Sequence, residues 1–261
     1  MKKLEAVIFD WAGTTVDYGC FAPVQAFAEV FKAFGIEPTM EEVREPMGML
    51  KRDHIKTMLA MPRIRTLWEE KYGRPSGEAD IDSLYQMFEG KLMSILENFT
   101  DIKPGVLETV KILREKGISI GSTTGYTDGM MEIVVKKAEE HGYKPDAWFS
   151  PDSTNKLGRP YPYMIYRNME AFAVSSADGV VKVGDTVSDI KEGKSAGVFS
   201  IGIIEGSSEM GLSREEYDSL TGEEKSRRAA LVTAKYAEAG ADAVIHNMWD
   251  LVPLLKNIFI I

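Results

Sequence analysis

At 261 residues, the chain is long enough for one large domain or two modest ones, each with its own hydrophobic core. Its composition, 44% hydrophobic and 27% charged, is that of an ordinary soluble globular protein. The net charge of −9 argues against nucleic acid or an anionic membrane surface as a partner. No apolar run approaches the roughly 18 residues of a membrane span. The single cysteine, Cys20, excludes an internal disulfide and fits a reducing cytoplasm.

The first motif comes after a short apolar run, Ala6–Phe9, that is typical of a strand inside a parallel sheet. The run ends abruptly at Asp10, and Gly13 with Thr14-Thr15 predicts a tight polar loop. A carboxylate at the carboxyl end of a central strand lies where open α/β sheets bind their ligands. A lone aspartate can equally cap the next turn, so its role depends on the motifs in the rest of the chain.

Between this strand and residue 99, the sequence predicts helices only. An apolar stripe predicts a helix over Phe21–Phe34, and Thr39 with Glu42 forms a capping box for a short second helix. Further helices are expected over Leu50–Met61, Arg63–Tyr72 and Ile81–Phe99. The absence of any strand pattern from residue 18 to residue 99 indicates an inserted all-helical block.

From residue 102 onward, predicted strands and helices alternate. Strands are expected over Ile118–Ser122, Ala147–Ser150, Val180–Val183, Val198–Ile204 and Ala243–Ile245. Helices are expected over Val106–Lys116, Asp128–His141, Tyr161–Phe172, Ser188–Ala196 and Trp249–Ile258, and the polar stretch 205–240 is mostly helical by composition. This alternation predicts an α/β fold with a Rossmann-like parallel sheet. We therefore expect a core domain formed by 1–18 and 100–261, and a helical cap domain formed by 19–99.

Two polar motifs come after predicted strands and suit an anionic ligand. In Ser122–Tyr126, hydroxyl and backbone N–H groups ahead of a helix form an anion cradle, although such a turn is often only a helix cap. In Gly158–Pro160, the fork of Arg159 suits bidentate binding of a phosphoryl group, although most arginines are solvated surface residues.

A third strand-end motif suits a hard metal ion. The predicted strand over Val180–Val183 leads into Gly184-Asp185, and Asp189 is four residues further on. Mg²⁺ takes one or two carboxylates together with phosphate oxygens and waters. We expect Asp10, Asp185 and the backbone carbonyl of Ala12 to supply the protein ligands. Asp189 either binds the ion through water, orients another group or caps the next helix.

In the predicted cap, one helical face carries positions 47, 50, 51, 54, 55 and 58, and its two polar members are Lys51 and His54. A lysine in an apolar stripe most often lies along the edge of a core with its amine in water. The sharper hypothesis is a desolvated Lys51 whose pKa is lowered by burial and by Arg52 or His54, suited to Schiff-base formation. His54 is either a packing residue or a group that orients the amine or moves its proton.

Taken together, these motifs resemble the phosphonatase branch of the haloacid dehalogenase superfamily. The resemblance covers essentially the full chain, and its most specific parts are Asp10–Gly19, Lys51–His54, Gly125-Tyr126, Arg159-Pro160 and Val183–Asp189. It implies that Asp10 is the nucleophile, that Thr124 and Gly125 bind phosphate, and that Arg159 replaces the superfamily's usual lysine. It also suggests that Met47, Cys20 and Tyr126 line the pocket, although packing explains each of these three equally well.

The implied activity is Mg²⁺-dependent hydrolysis of phosphonoacetaldehyde to acetaldehyde and phosphate by a homodimer that pairs through its caps. Phosphatases of the superfamily carry a second aspartate two residues after the nucleophile, where this chain has Ala12. That acid protonates a departing alkoxide. P–C cleavage instead expels a carbanion, and an iminium at Lys51 would accept those electrons before water hydrolyses an aspartyl phosphate at Asp10.

The sequence is compatible with two other functions. One is an ordinary phosphatase or phosphomutase of the same superfamily, which would lack its acid because of Ala12. The other is a non-catalytic phosphate-binding domain. The presence of four chemically active residues together argues against it: Asp10, Lys51, Arg159 and Asp185.

Overall fold

The computed structural model describes residues 2–261. Its strands are β1 (Lys2–Lys3), β2 (Ala6–Phe9), β3 (Ser119–Thr123), β4 (Ala147–Phe149), β5 (Val180–Gly184), β6 (Phe199–Ile203), β7 (Ala243–Ile245) and β8 (Phe259–Ile260). Its helices are α1 (Phe21–Ala33), α2 (Met40–Arg44), α3 (Lys51–Ala60), α4 (Pro62–Tyr72), α5 (Glu78–Ile95), α6 (Val106–Glu115), α7 (Asp128–Glu140), α8 (Tyr163–Ala171), α9 (Val187–Ala196), α10 (Arg214–Ser219), α11 (Gly222–Glu238) and α12 (Leu251–Ile258). Within these described residues, none of the helices is both long and apolar enough to cross a membrane.

The centre of the molecule is a parallel sheet of six strands in the order β4-β3-β2-β5-β6-β7. Strand β2 lies in the middle, and all four of its residues are buried. Phe9, its last residue, lies opposite Ser122 of β3 and Val183 of β5. This register brings the carboxyl ends of β2, β3 and β5 to the same edge, so the polar residues after these strands meet there, as the sequence predicts.

The inserted helices α1 to α5 lie between β2 and β3 in the chain, as predicted. Helix α1 packs along α5, where the rings of Phe27 and Phe88 stack with centroids 4.1 Å apart. The predicted capping box of α2 is present, because Thr39 and Glu42 each accept a hydrogen bond from the other's backbone N–H. Fully buried apolar residues such as Phe27, Phe88 and Leu92 pack in this block and belong to the same hydrophobic cluster as strand residues such as Phe9.

The structure differs from the sequence predictions mainly at element ends. Strands β1 and β8 were not predicted; they pair Lys2 with Phe259, and two-residue strands are too short to show an alternating pattern. The last helix begins at Leu251 rather than Trp249, because Met248–Asp250 forms a 3₁₀ turn capped by Asn247. Helix α5 begins three residues earlier than expected, at Glu78, and its predicted end forms the 3₁₀ turn Leu96–Phe99.

Candidate active site

A small cavity lies between the strand ends of the sheet and the beginning of α3. All the predicted site residues except His54 and Asp189 line it, and so do Pro23, Gly48 and Thr186, which the sequence did not indicate. The full lining is Asp10, Ala12, Cys20, Pro23, Met47, Gly48, Lys51, Thr124, Gly125, Tyr126, Arg159, Asp185 and Thr186.

Asp10 is held at the end of β2 by backbone hydrogen bonds to strand β5 and to its own loop. Its backbone N–H donates to the Val183 carbonyl at 2.9 Å, and its carbonyl accepts the Thr15 hydroxyl at 3.1 Å. The loop turns sharply at Gly13, which has a φ of +86° and lies so close to Asp185 that a Cβ would be 2.0 Å from the carboxylate Oδ2. Glycine is therefore required for Asp10 and Asp185 to share one site.

The three predicted acidic residues form a buried cluster. One carboxylate oxygen from each of Asp10, Asp185 and Asp189 lies within 4.8 Å of the others. Burial, with the nearby carboxylates of Asp10 and Asp189, raises the pKa of Asp185 well above its usual range. A divalent cation would remove this repulsion, and oxygen ligands of this kind suit a hard ion.

Further contacts make the cluster suitable for an ion. The Ser208 N–H and the Thr14 hydroxyl hold the Asp185 carboxylate at 2.7 and 3.2 Å. The Ala12 carbonyl accepts no hydrogen bond from the described residues and so is available as a ligand. The donor set fits a metal site.

Asp189 is engaged on both of its oxygens. Oδ2 accepts the Thr186 hydroxyl at 2.6 Å and closes the capping box of α9. Oδ1 lies 3.0 Å from Arg159 Nη2 and 2.9 Å from Lys182 Nζ. Of the three roles left open by the sequence, capping is thus present and the contact with Arg159 fits an orienting role, while binding of an ion through water stays a prediction.

The anion-binding side of the cavity comprises the residues after β3 and Arg159. The Thr124 hydroxyl accepts the Tyr126 N–H at 3.0 Å, and Gly125 is the next residue in the loop. Arg159 Nη2 donates to Asp10 Oδ1 at 2.5 Å. Although burial favours a neutral side chain, the surrounding carboxylates, Asp10 foremost, hold the pKa of Arg159 well above its ordinary value. This guanidinium is a permanent cation beside Asp10.

Lys51 is the first residue of α3 and is only 4% exposed. Among residues 2–261 it has no ion-pair partner. Its amine instead lies 5.1 Å from the centre of the Tyr126 ring and 5.9 Å from that of Phe27. Burial lowers the pKa of Lys51, and the positive charge of Arg159 lowers it further. The nearby carboxylates of Asp10 and Asp185 raise this pKa, but the net shift is downward. The neutral, nucleophilic amine is therefore more populated than in an exposed lysine.

The expected influence of Arg52 on Lys51 is not found. Arg52 turns to the surface and forms ion pairs with Glu78 and Asp82, each at 2.7 Å. The cation that lowers the pKa of Lys51 is Arg159, which is distant in sequence and could not be identified from helical spacing.

His54 lies outside the cavity lining. Its Nε2 donates to the Val43 carbonyl at 2.9 Å, and its ring stacks on Phe27 with centroids 3.8 Å apart. Burial and the neighbouring Lys51 lower the pKa of His54 well below its usual range, so the ring is neutral. Its Nδ1 is buried with no hydrogen-bond partner among the described residues.

Three lining residues suggested by the family resemblance, Cys20, Met47 and Tyr126, all reach the cavity. Burial raises the pKa of the Cys20 thiol well above its ordinary value, so it is not a thiolate nucleophile. The lining residues that were missed include Gly48 and Thr186. A Cβ at Gly48 would lie 2.4 Å from the Thr186 hydroxyl, so this glycine lets the segment before α3 contact the loop after β5.

Comparison with known proteins agrees with the fold. A family model described as "Hydrolase: haloacid dehalogenase-like hydrolase" matches residues 4–197, and the chain belongs to this class. It is 52% identical over 255 residues to the phosphonoacetaldehyde hydrolase of Lysinibacillus sphaericus (strain C3-41). The matched region covers 98% of this chain and 94% of that relative. Similarity at this level over nearly the whole length places the chain in the phosphonoacetaldehyde hydrolase family.

Two further similarities concern a fused protein and a solved structure. The bifunctional phosphonoacetaldehyde hydrolase/aminoethylphosphonate transaminase of Clostridioides difficile (strain 630) is 50% identical over 257 residues, which are 98% of this chain and 40% of that protein. A crystal structure of a phosphonoacetaldehyde hydrolase-like protein from Oleispira antarctica superposes with a TM-score of 0.94 at 38% identity, covering 98% of this chain and 92% of that one.

Proposed function

We propose that this chain hydrolyses the P–C bond of phosphonoacetaldehyde and releases acetaldehyde and phosphate. The observation that carries the proposal is a buried Lys51 without an ion-pair partner in the same small cavity as Asp10. An amine nucleophile and a carboxylate nucleophile facing one cavity are what an aldehyde joined to a phosphonate requires. The name and activity of the similar hydrolases support the same reaction.

The chemistry begins at Lys51. Its neutral amine condenses with the aldehyde, losing water, and the resulting imine is protonated to an iminium. A carboxylate oxygen of Asp10 then attacks phosphorus, and the electron pair of the breaking P–C bond moves into the iminium to give an enamine. Protonation at carbon and hydrolysis return Lys51 and release acetaldehyde. Water hydrolyses the aspartyl phosphate and regenerates Asp10.

The remaining residues position the phosphoryl group. Thr124 and Gly125 offer a hydroxyl and a backbone N–H at the end of β3, and Arg159 offers its guanidinium from the side of Asp10. Asp10, Asp185 and the Ala12 carbonyl would hold Mg²⁺, which would offset the negative charge shared by the carboxylates and the phosphoryl oxygens. Asp189 is proposed to orient Arg159 and is not needed as a direct ligand.

His54 is proposed to assist Lys51. The two residues lie three positions apart on α3, a spacing at which helical side chains are neighbours. Because Nε2 donates to the Val43 carbonyl, the unpartnered Nδ1 carries a lone pair that can accept a hydrogen bond and so orient the amine. Cys20, Met47 and Tyr126 enclose the small aldehyde portion of the substrate.

The alternative of an ordinary phosphatase is less well supported. Ala12 lines the cavity at the position from which an acid would protonate a leaving alkoxide, and it has no carboxyl group. A non-catalytic phosphate-binding domain would have no need of a buried amine with a lowered pKa.

Turnover and trapping together test the proposal. We expect phosphate release from phosphonoacetaldehyde, but little from p-nitrophenyl phosphate, when Mg²⁺ is present. Borohydride added with substrate should reduce the iminium to a secondary amine, inactivate the protein and place the added mass on the peptide that holds Lys51. Lys51→Arg should abolish both turnover and trapping, because guanidinium does not deprotonate. Lys56→Arg, on the exposed side of the same helix, is the matched control and should behave as wild type.

The result that contradicts the proposed mechanism is turnover by Lys51→Arg near the wild-type rate, or mass mapped to another lysine. Preference for p-nitrophenyl phosphate would instead support the phosphatase alternative.

We also propose that the protein acts as a cytoplasmic homodimer paired through its cap helices. The family resemblance and the single buried cysteine support this assignment. Sedimentation equilibrium should give twice the chain mass of 29.1 kDa, and a single-chain mass would exclude the dimer.

A further inference from the structure

Beside the cavity lies a group of buried charges that the reaction above leaves unused. Glu192 on α9 and Lys182 on β5 are both 0% exposed. Lys182 Nζ lies 2.9 Å from Asp189 Oδ1 and 3.3 Å from Glu192 Oε2. Burying a carboxylate is costly unless it is paired, so Glu192 at this position needs an explanation.

Arg159 is the group that connects Glu192 to the cavity. Its Nε donates to Glu192 Oε2 at 3.0 Å, while its Nη2 donates to Asp10 Oδ1 and to the Thr123 carbonyl at 3.0 Å. Among residues 2–261, Nη1 has no hydrogen-bond acceptor, although Arg159 lines the cavity. One edge of the guanidinium is thus fixed to the protein, and the Nη1 amine is left for a ligand.

Glu192 is itself held through one carboxylate oxygen, Oε2, while Oε1 is buried without a hydrogen-bond partner among the described residues. The Thr123 hydroxyl donates to Glu192 Oε2 at 2.9 Å and accepts from Lys182 Nζ at 2.7 Å. Gly193, the next residue, lies so close to β6 that a Cβ would be 2.2 Å from the Ser200 hydroxyl. This close approach of α9 to the sheet brings Glu192 within reach of Arg159.

The ion pair between Arg159 and Asp10 cannot persist unchanged through the reaction. When a carboxylate oxygen of Asp10 bonds to phosphorus, that carboxylate loses negative charge and its hold on Arg159 weakens. The contact with Glu192 does not involve the reacting atoms, so it keeps its strength while the phosphoryl group is transferred.

We propose that Glu192 is a second positioning residue for Arg159, beside Asp189: it holds Nε so that the guanidinium presents Nη1 to the phosphonate and stays in place when Asp10 is phosphorylated. This inference rests on the proposed function, because it takes the phosphonate group as the ligand of Arg159. Lys182 and Thr123 keep the Glu192 carboxylate in the orientation that this task requires.

The test uses Glu192→Gln, which keeps the size of the side chain and removes its charge. With Mg²⁺ present, we expect kcat/KM for phosphonoacetaldehyde and the affinity for inorganic phosphate, measured by calorimetry, each to fall about 10- to 100-fold, as is usual when a group orienting an active-site residue is changed. Borohydride trapping of acetaldehyde on Lys51 should stay within about twofold of wild type, because that step needs no phosphate contact.

A double-mutant cycle asks whether Glu192 acts through Arg159. In an Arg159→Lys background, which lacks Nε in the required position, Glu192→Gln should change phosphate affinity by less than about twofold. The control is Thr109→Val, which removes a buried hydrogen bond to the Met248 carbonyl remote from the cavity and should leave phosphate affinity unchanged.

The inference is overturned if Glu192→Gln binds phosphate as tightly as wild type. It is also overturned if Glu192→Gln lowers phosphate affinity by the same factor in the wild-type and Arg159→Lys backgrounds. A parallel loss of phosphate binding and acetaldehyde trapping also overturns it, because it indicates a general structural defect. If Glu192→Gln does not fold, Glu192→Asp decides: it keeps the charge, withdraws the carboxylate from Arg159 Nε, and should lower phosphate affinity alone. Failure of the proposed function is recognised separately, since wild-type protein would then release no acetaldehyde.

Discussion

The two sides of the cavity bury charged groups in opposite ways. On the sheet side, Arg159 contacts the carboxylates of Asp10, Asp189 and Glu192. On the helical side, Lys51 contacts no carboxylate among the described residues and lies near the rings of Tyr126 and Phe27. Both cations are almost completely removed from water.

The consequence is a difference in protonation. Burial alone disfavours the charged form of any cation. Burial is the largest single effect on both side chains; for Arg159 the neighbouring carboxylates together outweigh it and raise the pKa, whereas for Lys51 they do not and the pKa falls. The sheet side therefore supplies permanent charge for binding phosphate, and the helical side supplies a neutral amine for bonding to a carbonyl. The two side chains are buried to a similar extent, so the charged groups around each one determine its protonation state and its role.

The largest effect is expected from the nucleophile on the sheet side. Asp10→Asn should lower turnover at least about 10⁴-fold, because an amide does not accept the phosphoryl group. The amine on the opposite side is untouched, so borohydride should still trap acetaldehyde at Lys51. Steady-state kinetics measures the turnover of this variant, and peptide mass spectrometry measures its trapping at Lys51. Loss of trapping would show that the two sides of the cavity do not act separately.

A somewhat smaller loss is expected at the neighbouring carboxylate. Asp185→Ala removes a proposed Mg²⁺ ligand and should lower kcat/KM about 10²-fold or more, with a higher Mg²⁺ concentration needed for half-maximal rate. Asp242→Ala, at an exposed ion pair with Lys194, is the control and should match wild type. Full turnover of wild-type protein in excess EDTA would contradict the assignment.

The sheet side could be predicted well from the sequence, and its supporting charges could not. Asp10, Thr124 and Asp185 each come after an apolar run, and parallel strands place their ends at one edge. Glu192 reads as a solvated helix residue and Lys182 as an interruption of a strand, because neither shows a pattern that reveals its partner. Their roles depend on how closely α9 packs on the sheet, which is a tertiary feature.

The helical side is predicted with the correct face and the correct main cause of the lowered Lys51 pKa, burial, but with the wrong charged neighbour. Lys51, His54, Ile55 and Met58 share a buried face, as the spacing indicates. The positive neighbour of Lys51 is Arg159 from the other side of the cavity rather than Arg52 on its own helix. Helical periodicity reports which residues are buried together, but not which element covers them.

The lowered pKa of Lys51 gives a pH dependence. Since deprotonation produces the reactive amine, the rate of trapping with acetaldehyde should rise with pH and level off at a pKa below the value of about 10.4 usual for lysine. Removing the Arg159 charge with Arg159→Met should move this pKa upward and slow trapping near pH 7 by a factor of up to about 10. A profile that matches the ordinary lysine pKa, or no response to Arg159→Met, would contradict the electrostatic link between the two sides.

The smallest effect is expected where the two sides touch. A Cβ at Gly125 would lie 3.0 Å from the Met49 carbonyl and 3.2 Å from that of Gly48, both in the segment leading into α3. Gly125→Ala should therefore push the helical side away by a few tenths of an ångström. Since a misplacement of about 1 Å costs about 10²-fold, we expect kcat/KM to fall by less than about 10-fold. Gly129→Ala, four residues later with nothing within 4 Å of the added Cβ, is the matched control and should leave kcat/KM unchanged. Equal kinetics for the two variants would show that this contact does not set the distance between Lys51 and Asp10.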